Sequence, residues 1–417
     1  MEMVEEGQNQ PKIATKRIKF EEIMEVGGGD RITALPDCLL VEILSRLPST
    51  EDAIRTGTLS KRWKHLWNPV PSLIFDDENH RRLNFVSLVT KTLNQCRQQK
   101  LKKFVVSTGY DTRSESQVHN WIRYAVSCNV EELNLKVWNV EVIADEFVLD
   151  QFFFINSCFT DLRLSGCILN PIGVISWKNL RSLWISEGNL DEDLIENILS
   201  GSPQLETLVF NECYGYKRLD ITSKSVKNLV FNGYYWVPPD DECDDLSHII
   251  EINAPNILSL TIEGDLLLWK LLLVNVSSLI EANLDYTMLG HHETTEYSLF
   301  GYHATTLKDE EEMLEEFILN LSHVNELKIR RSCSKVVSRL EFKGFVFPSN
   351  IKFPDAVYDW SDSESIESGD CYSVVSRLEF KGFVFPSNIK FPDAVYDWSD
   401  SESIESGDCY SVESGDW

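Results

Sequence analysis

Two clusters of titratable side chains could in principle hold a metal ion. The first consists of His291, His292, Glu293, Glu296 and His303. These residue types bind zinc, but their spacing is not the H-E-x-x-H spacing that places ligands on one helical face. The second is the acidic run 240–245, which lacks the glycine and the alternating oxygen ligands of a calcium loop. Both are predicted to be solvated polar loops, so we expect no metal site.

The motifs of catalysis and cofactor binding are also missing from the sequence. It contains no G-x-S-x-G, no P-loop and no G-x-G-x-x-G after a strand. The ten cysteines include no C-x-x-C pair, which predicts reduced thiols. A net charge of -27 argues against nucleic-acid binding, because phosphates would be repelled. We therefore expect a protein that is not an enzyme and has no cofactor.

No apolar stretch is long enough for a membrane span, and the first 30 residues lack the apolar run of a signal peptide. We expect the chain to act in the nucleus or the cytoplasm, without a membrane partner. Residues 1–29 are polar and end in three glycines, which predicts a flexible arm.

Residues 30–67 have the apolar spacing of short helices. After Pro36, apolar residues recur at i, i+1, i+4, i+5 and i+8, which predicts a helix that Pro48 ends. These positions are Leu39, Leu40, Ile43, Leu44 and Leu47. Two more helices are predicted, one at 50–56 with Thr50 as its cap and one at 60–67.

This helical unit carries more large apolar side chains than three short helices can cover. Examples are Leu35, Leu40, Leu59, Trp63 and Trp67. We therefore predict that another surface covers the remainder. The alternative is that these side chains form the core of a helical cap on the segment that follows.

Beyond Trp67, an apolar hexad of the form L-x-x-L-x-L recurs ten times. Its middle residues are Leu73, Phe104, Leu133, Leu162, Leu183, Leu208, Leu229, Leu260, Ala282 and Leu327. Most intervals lie near the roughly 20–29 residues of a leucine-rich repeat, in which each unit adds one strand to a curved parallel sheet and returns through a helix or loop. Return helices are predicted at 117–127, 191–199 and 311–321, and an insertion loop at 290–311.

The C-terminal part contains a perfect tandem duplication, because residues 337–374 recur unchanged as 375–412. Each copy opens with a further strand-like hexad, which in the first copy is Val337, Leu340 and Phe342. Each copy ends in an acidic, serine-rich segment, a composition that predicts disorder. We expect only the first strand to continue the solenoid.

Residues 30–67 resemble an F-box, in particular that of the plant F-box/leucine-rich-repeat proteins, some of which carry a further FBD domain. The matching motifs are Leu35-Pro36, L-L-x-x-I-L-x-x-L-P from Leu39 to Pro48, and L-S-K-R-W-x-x-L-W from Leu59 to Trp67. The segment from Trp121 to Leu135 resembles the early repeats of the same family.

The resemblance implies that the F-box packs on a Skp-type adaptor, which joins it to a cullin, while the repeats present an unknown target protein for ubiquitination. The residues expected to bind the adaptor are Leu35, Pro36, Leu40, Ile43, Leu44, Leu47, Pro48, Leu59, Trp63 and Trp67. An alternative is a leucine-rich scaffold or inhibitor that acts without ubiquitin transfer.

The predicted fold class is α/β: a short all-α F-box module, an irregular leucine-rich-repeat solenoid with a curved parallel sheet, and a disordered acidic tail. The predicted boundaries are 1–29 for the arm, 30–77 for the F-box, 78–345 for the solenoid and 346–417 for the tail, which contains the second copy of the duplication.

Overall fold

Parallel β-strands dominate the part of the chain that the structure describes. The computed structural model describes residues 32, 34–77, 84–96, 100–111, 113–140, 146–234, 249–288 and 306–353. All of them belong to the first of two units into which the chain divides, Met1–Val357.

The strands are numbered in chain order. They are β1 Ser72–Asp76, β2 Lys103–Tyr110, β3 Glu132–Asn139, β4 Phe147–Val148, β5 Asp161–Ser165, β6 Cys167–Ile168, β7 Ser182–Ser186, β8 Thr207–Asn211, β9 Arg218–Asp220, β10 Asn228–Tyr234, β11 Ile249–Asn253, β12 Ser259–Leu266, β13 Lys270–Val274, β14 Glu281–Met288, β15 Glu326–Ile329 and β16 Ile351–Lys352. Eleven of them form one sheet in the order β1-β2-β3-β5-β7-β8-β10-β12-β14-β15-β16, with parallel pairing throughout.

The register of this sheet aligns the ten predicted hexads. Each middle residue is the direct pairing partner of the next, from Leu73 with Phe104 at one edge to Ala282 with Leu327 near the other. All three apolar residues of every hexad are buried. Apart from Val70 of the first hexad, which packs in the helical module, residues at the same hexad position stack on one another and form one continuous core. This confirms the leucine-rich-repeat solenoid.

Helices supply some of the return segments. The helices are α1 Asp37–Leu44, α2 Thr50–Arg55, α3 Phe85–Gln95, α4 Glu115–Ser127, α5 Glu192–Gly201, α6 Leu307–Asn320 and α7 Ser334–Phe342. The predicted return helices at 117–127 and 191–199 correspond to α4 and α5. The helix predicted at 311–321 begins earlier, at Leu307, because Thr306 and Asp309 form a reciprocal capping box.

Three consecutive repeats return through strands. β9, β11 and β13 form a second parallel sheet of three strands, and β4 pairs with β6. The apolar alternation of Ile250 and Ile252 buries both side chains, which fits a strand rather than a helix.

The strand predicted at Val337, Leu340 and Phe342 is wrong, because this segment is the helix α7. Val336, Val337 and Leu340 are buried at helical i, i+1, i+4 spacing, whereas Phe342 points into solvent. Over so short a segment, apolar residues spaced three and then two apart fit the period of a helix as well as that of a strand. The next strand of the sheet is instead β16, which pairs with β15.

The helical module also departs from the prediction in two details. The segment 60–67 contains only a 3₁₀ turn, Trp63–His65, and not a full helix. Ser49 caps α2 by accepting a hydrogen bond from the backbone N–H of Asp52 at 3.1 Å, whereas Thr50, the predicted cap, lies inside the helix.

Several expectations fall on residues outside the described ranges: the flexible arm 1–29, the acidic run 240–245, the histidine cluster between 291 and 303, and the tail with the second copy of the duplication. The boundaries at 30, 77 and 345 remain predictions. Over the described ranges, no helix is long and apolar enough to cross a membrane, and no group of three metal-ligating side chains occurs. The seven described cysteines are free thiols.

Candidate protein-binding surfaces

Helix α1 carries two apolar stripes that face in different directions. Leu40 and Leu44 are 0% and 2% exposed, whereas Leu39 and Ile43 are 47% and 42% exposed. Residues four apart lie on the same face of a helix, so each pair forms one stripe. One stripe enters the core of the module and the other meets solvent.

The core of the helical module is a separate cluster of buried side chains: Leu40, Leu44, Ala53, Trp63, Leu66, Trp67 and Val70. Four of the residues predicted to bind an adaptor belong to it, namely Leu40, Leu44, Trp63 and Trp67. Leu35 and Leu47 are half-buried against it. Pro36, Ile43, Pro48 and Leu59 are exposed.

Two exposed apolar residues were not among the predicted site residues. Ile32 is 55% exposed, and Leu39 shares the outward stripe with Ile43. The apolar pattern could have indicated that Leu39 is exposed. Five apolar residues at i, i+1, i+4, i+5 and i+8 span a wider part of the helix surface than one buried face. Leu59, at 68%, is the most exposed of the leucine, isoleucine and tryptophan residues in the predicted set.

Polar contacts fix the segment that carries Leu59 against the start of α1. The guanidinium of Arg62 donates to the carbonyl oxygen of Leu35 at 2.6 Å and to the Asp37 carboxylate at 2.9 Å. These contacts link two segments that are far apart in sequence, and both carry exposed apolar side chains.

The helical module is attached to the first edge of the sheet. The backbone N–H of Ile74, on β1, donates to the hydroxyl of Thr50, on α2, at 2.7 Å. Cys96, at the end of α3, packs against both the module's core and the solenoid's core. Burial raises the pKa of the Cys96 thiol to about 11, so it remains protonated and serves as an apolar filler.

The face of the main sheet opposite the core, here called the open face, carries the side chains that alternate with the buried ones. Its central row, in strand order, is Ile74, Val105, Asn134, Arg163, Trp184, Val209, Val230, Thr261, Asn283 and Lys328. Trp184, Val209 and Val230 lie on adjacent strands and form an apolar patch near the middle of this row. Trp184 and Val230 are half-buried, and Val209 between them is buried.

Neighbouring side chains hold the indole of Trp184 in place. The Arg163 guanidinium lies 5.4 Å from the ring centroid, and the indole N–H donates to the Ser186 hydroxyl at 2.7 Å. Asp161 orients Arg163 in turn, because its carboxylate accepts a hydrogen bond from Nε of Arg163 at 3.1 Å. A positioned aromatic ring of this kind is a common anchor in protein interfaces.

At or near the C-terminal ends of five adjacent strands, β5, β7, β8, β10 and β12, the backbone takes a left-handed conformation. The residues concerned are Gly166, Glu187, Glu212, Gly233 and Gly264. Each directly follows one member of a row of pairing partners: Ser165, Ser186, Asn211, Asn232 and Glu263. At Gly166 a Cβ atom would lie 1.8 Å from the carbonyl oxygen of Val137, so only glycine fits.

Sequence comparisons agree with this architecture. Residues 32–75 match the F-box domain, and residues 92–337 match the model of the At1g61320/AtMIF1 LRR domain, which is more than half of the chain. The chain is 32% identical over 329 residues to F-box protein At5g03100 of Arabidopsis thaliana, covering 77% of this chain and 95% of that protein.

Two further relatives come from the same plant. The putative F-box/LRR-repeat protein At3g18150 is 32% identical over 76% of this chain and 64% of its own length. F-box/LRR-repeat protein 25 is 34% identical over 50% of this chain and 78% of its own length. An F-box match, a leucine-rich-repeat match and a relative covered almost end to end lead to one conclusion: this chain belongs to the F-box/leucine-rich-repeat family of plants.

Proposed function

We propose that the chain is the substrate-recognition subunit of an SCF-type (Skp-cullin-F-box) ubiquitin ligase and acts in the nucleus or the cytoplasm. Its F-box docks on a Skp-type adaptor, which connects it to a cullin, and its repeats bind the target protein. It is a receptor and carries out no chemical step itself. The observation that carries the proposal is the outward apolar stripe of α1, together with the exposed Leu59.

The energetic argument is that this apolar surface is left over after the module has formed its own core. Leu40 and Leu44 already supply the buried stripe of α1, so Leu39, Ile43 and Leu59 are not needed for internal packing. Burying apolar surface stabilises by about 25 cal/mol per Å². Three large side chains in one partner interface would therefore contribute several kcal/mol, of the size of an interface hot spot.

The predicted adaptor-binding residues then divide into two groups. Pro36, Ile43, Pro48 and Leu59 are exposed and are proposed to touch the adaptor, with Leu39 added to them. Leu40, Leu44, Trp63 and Trp67 are proposed to position this surface from below, and Leu35 and Leu47 lie at its border.

The test is binding of the full-length chain to a purified Skp-type adaptor. We expect the native chain to bind the adaptor. The Ile43→Asp and Leu59→Asp variants should each lose this binding. Ile172→Asp is the matched control, because Ile172 is an apolar residue of the solenoid that is 87% exposed. If the native chain fails to bind, or if the Ile172 variant loses binding equally, the proposal is refuted.

The scaffold alternative makes a different prediction about the target. A receptor of a ubiquitin ligase lowers the level of its bound target, and proteasome inhibition restores that level. A scaffold or inhibitor leaves the level unchanged in both conditions. Measuring one bound target with and without this chain therefore separates the two functions.

A further inference from the structure

Five adjacent strands of the open face contain no lysine or arginine, and the nearest cations, Arg181 and Lys227, precede two of these strands at their N-terminal ends. These strands are β7, β8, β10, β12 and β14. Carboxylates lie on or directly after four of them: Glu187 and Glu212, which directly follow β7 and β8, Glu263 and Asp265 on β12, and Glu281 and Asp285 on β14. Strand β10 has none. Strands on either side do carry cations, such as Lys103, Arg163 and Lys328. The middle and later part of the open face is therefore acidic.

These carboxylates are placed beside one another rather than beside cations. Glu263 and Asp285 are direct pairing partners on β12 and β14, and both project from the open face. Glu187 and Glu212 follow the partners Ser186 and Asn211. Like charges directly opposite each other in a sheet are destabilising. Within the described ranges, no lysine or arginine forms an ion pair with Glu187, Glu212 or Glu263.

The backbone conformation of Glu187 and Glu212 adds a second unfavourable contribution. Both residues have positive φ, at 56° and 53°, where three of the five aligned positions have glycine. A non-glycine residue is strained in this region. The stem of the Glu212 side chain lies against Gly233 on the next strand, which has no side chain to displace it. Two carboxylates at the ends of neighbouring strands, here called the acidic rim, are thus held in place despite backbone strain.

The apolar patch lies on the same part of the sheet as the acidic rim, three residues earlier along β7 and β8. Trp184, Val209 and Val230 occupy three adjacent strands, so the patch is about 10 Å wide at a strand spacing of about 4.8 Å. Glu187 and Glu212 lie three residues further along their strands, roughly 10 Å from the patch. Trp184 and Val230 are therefore the members of the patch that an incoming apolar side chain can touch, with Val209 between them as its floor. The carboxylates lie within reach of the residues that would flank such a side chain.

We propose that this part of the open face binds a segment of a partner protein in which a large apolar side chain is flanked by lysine or arginine. The apolar side chain packs on Trp184 and Val230, and the cations neutralise Glu187, Glu212 and Glu263. Electrostatic complementarity of this kind selects partners and speeds their association. The inference rests on the proposed function, because such a segment would be the recognition element of the target protein.

The test uses three pools of short fluorescent peptides and the full-length chain. All peptides of the first two pools carry Leu or Phe at the centre; the flanks are Lys and Arg in the first pool and Asp and Glu in the second. The third pool has cationic flanks around a central Ser or Gly. We expect the first pool to bind with a strong dependence on salt, and the other two to bind at least about tenfold more weakly.

Variants locate the binding on the open face. Glu263→Lys and Trp184→Ser should each weaken binding of the first pool by about tenfold. Glu196→Lys is the matched charge control, because Glu196 is exposed on α5, away from the open face, and should leave binding unchanged. If Trp184→Ser fails to fold, the Glu263→Lys variant still decides the result.

Three outcomes would overturn the inference. They are no binding of the first pool, equal binding of the first and third pools, and equal loss in the Glu196 and Glu263 variants, which would indicate general attraction to a chain of net charge -27. None of these measurements involves the adaptor. A chain that binds the adaptor but not the peptides loses only this inference, whereas a chain that binds the peptides but not the adaptor loses only the receptor function.

Discussion

The helical module and the solenoid use apolar residues in opposite ways. In the solenoid, the apolar residues of all ten hexads are buried, and the open face is mostly polar or charged. In the helical module, a small core coexists with Leu39, Ile43 and Leu59 in solvent. The module is too short to bury everything it carries, while the solenoid buries each hexad against the next repeat.

Under the proposed function, each region would recognise its partner in a different way. The helical module presents apolar surface, whose attraction is general and strong for any complementary groove. The open face presents a pattern of charges around one apolar patch, which discriminates between partners by their charge. A constant partner suits the first kind of surface and a selected partner suits the second.

The largest effect is expected when a charged residue replaces a side chain of the buried stripe of α1. Leu44→Asp should destabilise the helical module by at least about 4 kcal/mol, because it removes a buried apolar side chain and introduces a carboxylate into the core. Ile43→Asp should leave the module folded, because its side chain already meets solvent. Hydrogen exchange of residues 37–67 measures both. Equal protection in the two variants would show that the two stripes do not differ.

A cavity in the solenoid should have the next largest effect. Leu208 is fully buried and pairs with Leu183 on one side and Leu229 on the other. Leu208→Ala should cost about 3 kcal/mol, with exchange rising mainly in the adjoining repeats. Chemical denaturation measures the total loss in free energy of unfolding. Hydrogen exchange shows how that loss is distributed over the repeats. A rise confined to the helical module would contradict the separation of the two cores.

A smaller effect is expected from the buried ion network that attaches α7 to α6. Glu311 accepts hydrogen bonds from Lys343 and from Arg339, the latter at 2.9 Å. Burial opposes ionisation of Glu311, but these hydrogen bonds outweigh it and lower its pKa below the ordinary value of 4.5. Glu311→Gln should cost about 2 kcal/mol at neutral pH.

The pH dependence of this network has a definite sign. Because the pKa of Glu311 is lower in the folded chain, its contribution to stability is present above pH 4.5 and is lost as the pH falls below that value. Melting curves of the native chain and of Glu311→Gln should therefore converge between about pH 5 and pH 3. A difference that stays constant over this range would exclude ionisation of Glu311 as the cause.

The smallest effect is an expected gain in stability. Glu187→Gly should stabilise the chain by about 0.5 kcal/mol, because relief of the left-handed strain exceeds the added backbone entropy of glycine in the unfolded state. Glu196→Gly, in the helix α5, should instead destabilise by about 1 kcal/mol. Thermal melting of the two variants side by side provides the comparison. A loss of stability at position 187 would show that the glutamate side chain is held by favourable contacts.

The solenoid could be predicted from the sequence because its evidence is repeated. A single hexad is ambiguous, as the segment at Val337, Leu340 and Phe342 shows by forming a helix. Ten hexads in series restrict one another, since each must pair with the next, and all ten are in register. The return segments are not restricted in this way, so the strands β9, β11 and β13 could not be foreseen.

The helical module shows the limit of periodicity within one short element. Its apolar spacing predicted α1 and indicated surplus apolar surface. It did not separate Leu40 and Leu44 from Leu39 and Ile43, because adjacent positions on a helix differ by only about 100° and the packing of Trp63 and Trp67 decides which pair is covered. The acidic open face was also missed, because its carboxylates come from strands far apart in sequence.

The hydrogen bond between Thr50 and Ile74 has a practical consequence for capturing target proteins. The free N–H and C=O groups of an edge strand are a template for pairing with another chain, and at β1 the helical module covers this edge. The opposite edge, β16, is only two residues long and offers little to pair with. A chain from which the F-box has been cut away would therefore expose β1 and tend to aggregate through it. Under the proposed function, a full-length Ile43→Asp chain, with its edge still covered, is the better bait for trapping undegraded targets.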